Sequence, residues 1–295
     1  MHDGSGDKMG QGPWFDSPET SYRTEAAKVA SRPEIAEAAA KYRETGYLVR
    51  DFGFAQADLD EAAAYTKSMK SGRVQDGWLA NAAVKRLATD KRVIAFLSDL
   101  YQREAFPFQT LNFATGSQQS THSDTFHFNS KPVGFMCGVW IALEDIHPDS
   151  GPLHYYPGSH RLPVFSDTDL GGKDYDTGYD GLIISTIEKA GLKRETAQIR
   201  RGETFIWAAN LFHGGSKVAD SSRTRLSQVT HYYFRGCSYF TPMASKSEAG
   251  KMFWREPFDI AASRFVANAG KDQRPGLKYR LGERLKIWTK RPYAS

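Results

Sequence analysis

Cysteine is scarce in this chain of 295 residues: Cys137 and Cys237 are too few for a disulfide framework, and a reduced, cytoplasmic protein is expected. No run of about 18 apolar residues occurs, so no spanning helix and no membrane partner are expected. The longest such run, Phe135–Leu143, has nine residues including Gly138 and reads as a buried strand. Met1–Gly12 has neither an apolar core nor a cleavage pattern, so no secretory leader is read there. Internal repeats and the motifs of nucleic-acid-binding modules are also absent, and no nucleic-acid partner is inferred. Aromatic residues, by contrast, are plentiful. With 18 Phe, 14 Tyr and 6 Trp, global disorder is excluded.

The net charge of +5 is a local feature. Between Lys271 and Arg291, eight Lys or Arg stand against Asp272 and Glu283, and the rest of the chain carries −1. This segment reads as a solvated basic face, with an anionic partner as the alternative.

Residues 1–20 are rich in Gly, Asp, Ser and Pro and read as a flexible tail; 21–295 reads as one domain. Its first part, 33–104, is helical. From Pro33, the residues Ile35, Ala38, Ala39 and Tyr42 recur at helical spacing, and Gly46 should end that helix. Tyr47–Val49 reads as a short strand, and Asp58–Lys70 and Asp90–Arg103 as two further helices. From about 106 to 235 short aromatic and β-branched runs alternate with Gly, Pro, Asn and Asp. Strands are expected at Phe108–Phe113, Phe135–Leu143, Leu153–Tyr156, Glu195–Ile199, Thr204–Trp207 and Ser227–Phe234, in a β-sandwich or barrel. Asp167–Tyr179 reads as a long irregular loop, and 236–295 as a C-terminal extension.

Three patterns can carry chemistry. In His122-Ser123-Asp124 the imidazole and the carboxylate are two residues apart, so on a strand end both reach one metal. Alone, such a triplet arises often by chance. His213 stands where the apolar run from Phe205 gives way to Gly214 and Gly215, and it can complete a two-His-one-carboxylate facial triad. In Arg223-Thr224-Arg225-Leu226-Ser227 a guanidinium precedes a hydroxyl on the same strand face, a pairing suited to a carboxylate. The order of the three patterns is the informative part.

From Ile35 to Phe234 the sequence resembles the phytanoyl-CoA hydroxylase family of iron(II)/2-oxoglutarate dioxygenases, to which ectoine hydroxylase also belongs. The resemblance rests on "YRETGYLVRDFGFAQADLDEAAA" and, above all, on "HSDTFHFNSKPVGFMCGVWIALEDIHPDSGPLHYYPGSH". It implies a mainly β fold with flanking helices: a double-stranded β-helix, the cupin-like jelly roll. It also implies iron(II), 2-oxoglutarate and dioxygen, and hydroxylation of a small or medium organic substrate at an unactivated C–H bond, with release of succinate and carbon dioxide.

Residue by residue, His122, Asp124 and His213 match the iron ligands, and Arg225 the arginine that pairs with the far carboxylate of 2-oxoglutarate. Trp140 falls where the family carries an aromatic residue near the cosubstrate; Asn112 resembles a cosubstrate contact of ectoine hydroxylase, with Gln109 nearby. The family often has serine two residues after the distal histidine. Here Gly215 stands there, so Ser216, Ser227 or neither supplies the hydroxyl. "RLSQVTHYY" aligns from Arg225 rather than Arg223. His160 and His231 read as structural and core residues; His127 and His154 as pocket candidates; and Cys137 as a small core residue. The Asp167–Tyr179 loop, the segment around Gly77–Leu79 and strand residues near His154 are expected to build the substrate entrance. A non-catalytic metal- or 2-oxoglutarate-binding jelly roll and a zinc-type cupin hydrolase or isomerase remain as alternatives.

Overall fold

The computed structural model describes residues 12–173 and 175–290. Helices α1 (Glu19–Val29) and α2 (Pro33–Thr45) lead to strand β1 (Tyr47–Asp51), and α3 (Gln56–Ser68) leads to β2 (Arg73–Gln75). Next come α4 (Ala82–Ala88), α5 (Lys91–Tyr101), β3 (Ala105–Phe113), β4 (Asn129–Lys131), β5 (Met136–Ala142) and β6 (Leu153–Tyr155). Helix α6 (Tyr175–Ala190) precedes β7 (Glu195–Thr196), β8 (Glu203–Ala208), β9 (His213–Gly215), β10 (Ser227–Phe234) and β11 (Ser238–Phe240). The chain continues through β12 (Phe258–Asp259), β13 (Arg264–Phe265) and α7 (Leu277–Lys290).

Local chemistry sets the helix ends. Pro33 opens α2, where its missing N–H costs nothing, and Gly46 ends it at φ 80°, in the left-handed region. The Asp90 carboxylate accepts from the Arg92 N–H and caps α5, which buries Val93, Phe96, Leu97 and Leu100.

Six strands form an antiparallel sheet in the order β1-β8-β5-β10-β3-β2, and β6 pairs with β7 and β9 in a three-stranded sheet. Two smaller sheets join β11 to β4 and β12 to β13. The architecture is thus a mixed α/β fold of several antiparallel sheets with flanking helices. Every residue of β3, β5 and β10 is buried, so the large sheet is covered on both faces. Side-chain alternation divides its core in two. Val139, Ile141 and Ile206 face one way and join Tyr42, Leu87 and Leu97 of the helices. Trp140, Phe205 and Trp207 face the other and join Leu153 and Tyr155 of β6. The β3–β10 ladder slips at His231/Tyr232.

Three expectations are corrected. Residues 12–20 are no tail: Trp14 and Phe15 are buried, the Trp14 indole donates to the Leu100 carbonyl at 2.7 Å, and Phe15 meets Tyr42 and Tyr101 edge-on. A polar composition hides that Trp-Phe anchor; the rest of the expected tail, 1–11, lies outside the described residues. Asp167–Tyr179 is not irregular throughout, since Asp167–Leu170 forms a 3-10 turn closed by a Ser166/Asp169 capping box and α6 begins at Tyr175. Of Glu195–Ile199, only Glu195–Thr196 is strand. Ile199 spends its carbonyl on the Ile146 N–H instead of on a neighbouring strand.

His160 locks the end of α2. Its Nε2 donates to the Arg43 carbonyl at 3.1 Å, and a Cβ at Gly46 would fall 2.5 Å from its Nδ1. Burial pushes its pKa down to about 4 from an ordinary 6.5. Protonation therefore favours the unfolded chain. The stability contribution is whole above pH 6.5 and falls as pH drops toward 4. Urea unfolding of the apoprotein at pH 7.5 and at pH 5 should show a loss on the order of 2 kcal/mol from this group. His160→Gln should reduce the pH dependence by about that amount, with the part due to buried His213 remaining.

Candidate metal centre

Two backbone hydrogen bonds build the centre before any side chain contributes. His122 N–H donates to the His213 carbonyl at 2.8 Å, and His213 N–H to the His122 carbonyl at 2.9 Å. This antiparallel bridge sets the two imidazoles side by side, with ring centroids 4.5 Å apart. Asp124 follows at the mouth of a 3-10 turn. One ligand-type atom from each of His122, Asp124 and His213 lies within 4.8 Å of the other two, and all three residues are buried. Asp124 Oδ1 is 3.7 Å from His122 Nε2 and 3.9 Å from His213 Nε2.

The protonation pattern suits a cation. His122 Nδ1 lies 2.9 Å from the Ser120 carbonyl and His213 Nδ1 2.9 Å from the Leu211 carbonyl, so each Nδ1 carries the proton and each Nε2 presents its lone pair inward. Burial pushes the His213 pKa down to about 4, only partly offset by the Asp124 charge, which keeps the ring neutral at pH 7. Burial alone would raise the Asp124 pKa, but the facing His213, His122 and His231 outweigh it and hold the carboxyl well below its usual range.

The second oxygen of Asp124 is held separately. Trp207 Nε1 donates to Asp124 Oδ2 at 2.8 Å, and His231 Nε2 lies 3.7 Å from the same atom. His231 Nδ1 in turn is 3.0 Å from Gln109 Oε1. Gly138 makes room for the indole, since a Cβ there would lie 2.2 Å from the Trp207 ring. Trp207→Phe keeps an aromatic ring, though a smaller one, and removes the donor. By the usual cost of losing an outer hydrogen bond to a metal ligand, Co(II) affinity should fall about 10- to 100-fold by titration, with the fold retained. Further out, the Ser123 hydroxyl donates to Asn210 Oδ1 at 2.9 Å and its N–H to the Tyr179 hydroxyl at 2.9 Å.

The three residues open onto a cavity of about 240 Å³. Gln109, Leu111 and Phe113 of β3 line it, with Trp140 of β5, Trp207 of β8, and Val229 and His231 of β10. Arg225 also lines it, 4% exposed, its guanidinium 5.3 Å from the Phe113 ring centre and 5.4 Å from that of Trp140. Among the described residues its Nε is buried without a partner, and its Nη2 has only a 3.5 Å contact to the Thr115 carbonyl. Burial pushes its pKa down to about 10, partly offset by Glu144, so it remains a cation at pH 7. A buried guanidinium with unspent donors is a seat for an anion. Arg223, by contrast, is exposed and paired with Asp220 at 3.0 Å.

The other expected positions divide. Trp140 and Gln109 line the cavity. Asn112 does not. One residue out of phase on β3, it points to the helical side, where its Nδ2 donates to Thr66 Oγ1 at 3.0 Å and its Oδ1 would meet a Cβ at Gly77. Ser227 is fully buried on the cavity-facing side of β10 but outside the lining, its hydroxyl 3.5 Å from the Arg225 carbonyl. Ser216 is engaged by Arg194 Nη2 at 2.8 Å. At Gly215 a side chain has no room, because a Cβ would lie 2.3 Å from Ser117 Oγ.

The expected entrance is corrected in part. Leu153, beside His154 on β6, lines the cavity, but Gly77–Leu79 is buried with Trp78 stacked on Phe258, His154 Nε2 is spent on Thr121 Oγ1 at 2.8 Å, and none of the described residues of Asp167–Tyr179 lines it. The lining includes the exposed Arg73, Gln75 and Ser117 instead. His231, read as core, and Trp207, not singled out, are the residues that sequence reasoning missed. Position 207 shares a strand face with Phe205, two residues before it, and that alternation was the available signal. His127 lines the cavity as expected for a pocket candidate. No helix among the described residues is long and apolar enough to cross a membrane.

Among curated proteins, the chain is similar to phytanoyl-CoA dioxygenase domain-containing protein 1 of Danio rerio, 36% identical over 121 residues, 37% of each chain. It is 25% identical over 180 residues to the peroxisomal phytanoyl-CoA dioxygenase of Rattus norvegicus, covering 58% of this chain and 50% of that one. The chain thus spans about a third to a half of the length of these relatives. Among solved structures it resembles the non-heme alpha ketoglutarate dependent epimerase SnoN from nogalamycin biosynthesis, at 22% identity and a TM-score of 0.57, covering 73% of this chain and 88% of that one. EctD from S. alaskensis, solved with 2-oxoglutarate and 5-hydroxyectoine, gives 16% identity and a TM-score of 0.57 over 81% of this chain and 88% of that one. At such identities these likenesses show the fold. The profile of the phytanoyl-CoA dioxygenase (PhyH) family matches residues 22–225, from α1 to the buried arginine, and the chain belongs to that family.

Proposed function

We propose that this protein is an iron(II)/2-oxoglutarate-dependent oxygenase that hydroxylates a small or medium organic molecule. The observation that carries this reading is the pairing of a buried His-Asp-His centre with a buried arginine whose donors are unspent, across one cavity. The donor set fits: two neutral Nε2 atoms and one carboxylate oxygen would hold iron(II) on one side and leave the other open. Iron(II) with 2-oxoglutarate and dioxygen supplies the oxidising power for C–H hydroxylation, with succinate and carbon dioxide as co-products.

The protein's own groups do the positioning. Arg225 would grip the distal carboxylate of 2-oxoglutarate, with Trp140 and Phe113 excluding water around the guanidinium. Trp207 keeps Asp124 Oδ2 occupied, so the carboxylate would offer Oδ1 to a metal. Gln109 orients His231 beside it. Two finer readings belong here. The large sheet and the β7-β6-β9 sheet, which bury side chains against each other, are read as the two halves of a double-stranded β-helix. The core running from Trp14 through the strands to Ile287 supports one dioxygenase domain that includes the C-terminal extension.

Anaerobic addition of iron(II) and then 2-oxoglutarate to the apoprotein should develop the weak visible charge-transfer band of the ternary complex. With air and ascorbate, slow substrate-free formation of succinate should follow. A protein that takes up zinc but neither binds nor turns over 2-oxoglutarate would belong to the hydrolase or isomerase alternative.

A further inference from the structure

Among the described side chains, helix α7 holds to the body of the protein by one face. Ile287 is buried, Tyr279 meets Phe253 edge-on, Arg280 and Arg284 reach Glu256 at 3.0 and 3.6 Å, and Lys286 reaches Asp76 at 2.7 Å. On the opposite face Leu277, Leu281 and Leu285 are exposed by 69, 58 and 58%. Spaced by four residues, they form a single ridge, because positions i, i+4 and i+8 drift only about 40° per step around a helix. These three include the most exposed large apolar side chains of the described residues. Isolated exposed leucines need no explanation, but a ridge of three on one helix does.

The charge around the ridge selects its occupant. Lys278 flanks it on one side and Arg284 on the other, and Lys271 and Arg274 stand exposed just upstream. Among the described residues Lys271, Arg274 and Lys278 have no ion-pair partner. A second copy laid parallel along the ridge would bring these cations together, and an antiparallel one would set Lys278 against Arg284. A leucine ridge bordered by lysine and arginine is the pattern of a helix that lies in the plane of an anionic bilayer, its apolar edge at the headgroup boundary. Such a helix needs no apolar span, so the lack of one leaves it open. We propose that α7 docks this protein on an anionic membrane surface. The body-facing side of α7 lies near the cavity: Asp76, which anchors Lys286, directly follows Gln75 of the lining.

Sedimentation of the full chain with vesicles tests this. Vesicles of phosphatidylcholine with about 30% phosphatidylserine should carry the protein down at about 0.1 M salt, and pure phosphatidylcholine vesicles should not. Binding should fall at least about tenfold at about 0.5 M salt. Leu281→Ser with Leu285→Ser should lower it at least about tenfold, and Lys271→Glu with Arg274→Glu and Lys278→Glu should do the same. These substitutions lie on exposed positions, and an unchanged melting temperature verifies the fold. Failure of the wild type to bind the anionic vesicles would overturn the proposal. So would binding that the leucine substitutions leave unchanged. A dimer in sedimentation equilibrium that those substitutions dissolve would assign the ridge to a second copy and overturn it equally.

Discussion

Arg225→Ala should weaken 2-oxoglutarate binding by roughly a few hundred- to a few thousand-fold, the equivalent of about 3–5 kcal/mol for removing one partner of a buried charged pair. The structure explains why this side chain should matter so much. Its guanidinium lies 5.3 and 5.4 Å from the ring centres of Phe113 and Trp140, it is 4% exposed, and its Nε has no acceptor among the described residues. An ion in that position has already met the cost of leaving water and recovers it only when an anion arrives. Arg225→Lys keeps the charge but not the fork, so it should bind better than the alanine variant and worse than the wild type. Arg223→Ala provides the contrast. Arg223 is exposed and its partner Asp220 is exposed as well, so its loss should change affinity by less than about tenfold. Equilibrium dialysis with labelled 2-oxoglutarate in the presence of Mn(II) would measure all three. Equal affinities for the Arg225→Ala variant and the wild type would remove the arginine from the reading.

Loss of either histidine should be the other large effect. His122→Ala or His213→Ala should reduce iron(II) affinity by more than about 100-fold, beyond the usual cost of an outer-sphere change, and abolish 2-oxoglutarate turnover. The fold should survive, because the bridge between these residues is made by their backbone N–H and carbonyl groups, which alanine retains. Asp124→Asn separates charge from shape: the amide keeps the volume but weakens the hold on a dication. Metal content after anaerobic reconstitution, read beside circular dichroism, would check both halves. A variant that keeps its iron stoichiometrically would show that the metal sits elsewhere.

The parts of this protein that were legible in sequence were those where one chemical demand acts over a short stretch. Pro33 and Gly46 bracket α2 because backbone geometry asks for those residues at those ends. The spacing of His122 and Asp124 carries its own geometric logic, and the distant His213 meets them across the bridge. What escaped depended on phase or on tertiary partners. Asn112 was assigned to the cavity by likeness to a motif, yet alternation along β3 gives that face to Gln109, Leu111 and Phe113. Trp14 and Phe15 sit in a polar stretch and declare themselves only against Tyr42, Leu100 and Tyr101. His231 read as core because its neighbours in sequence are aromatic; its neighbours in space are Asp124 and Gln109. The entrance was sought in a Gly- and Asp-rich loop, but Tyr179 draws that segment into a cluster with Phe126, Phe165 and Phe212.

The glycine at 138 and the indole at 207 bear on how this site can change over generations. Neighbours on paired strands, they fill one volume between them, and a Cβ at 138 would enter the ring that holds Asp124. The two positions therefore cannot drift independently. A lineage that enlarges residue 138 first passes through a protein with a displaced carboxylate, whereas one that first shrinks residue 207 loses a hydrogen bond but keeps its packing free of collision. The accessible path runs through position 207 before position 138. Homologues with a side chain at 138 should accordingly carry something smaller than tryptophan at 207 and orient their metal-binding aspartate by another donor.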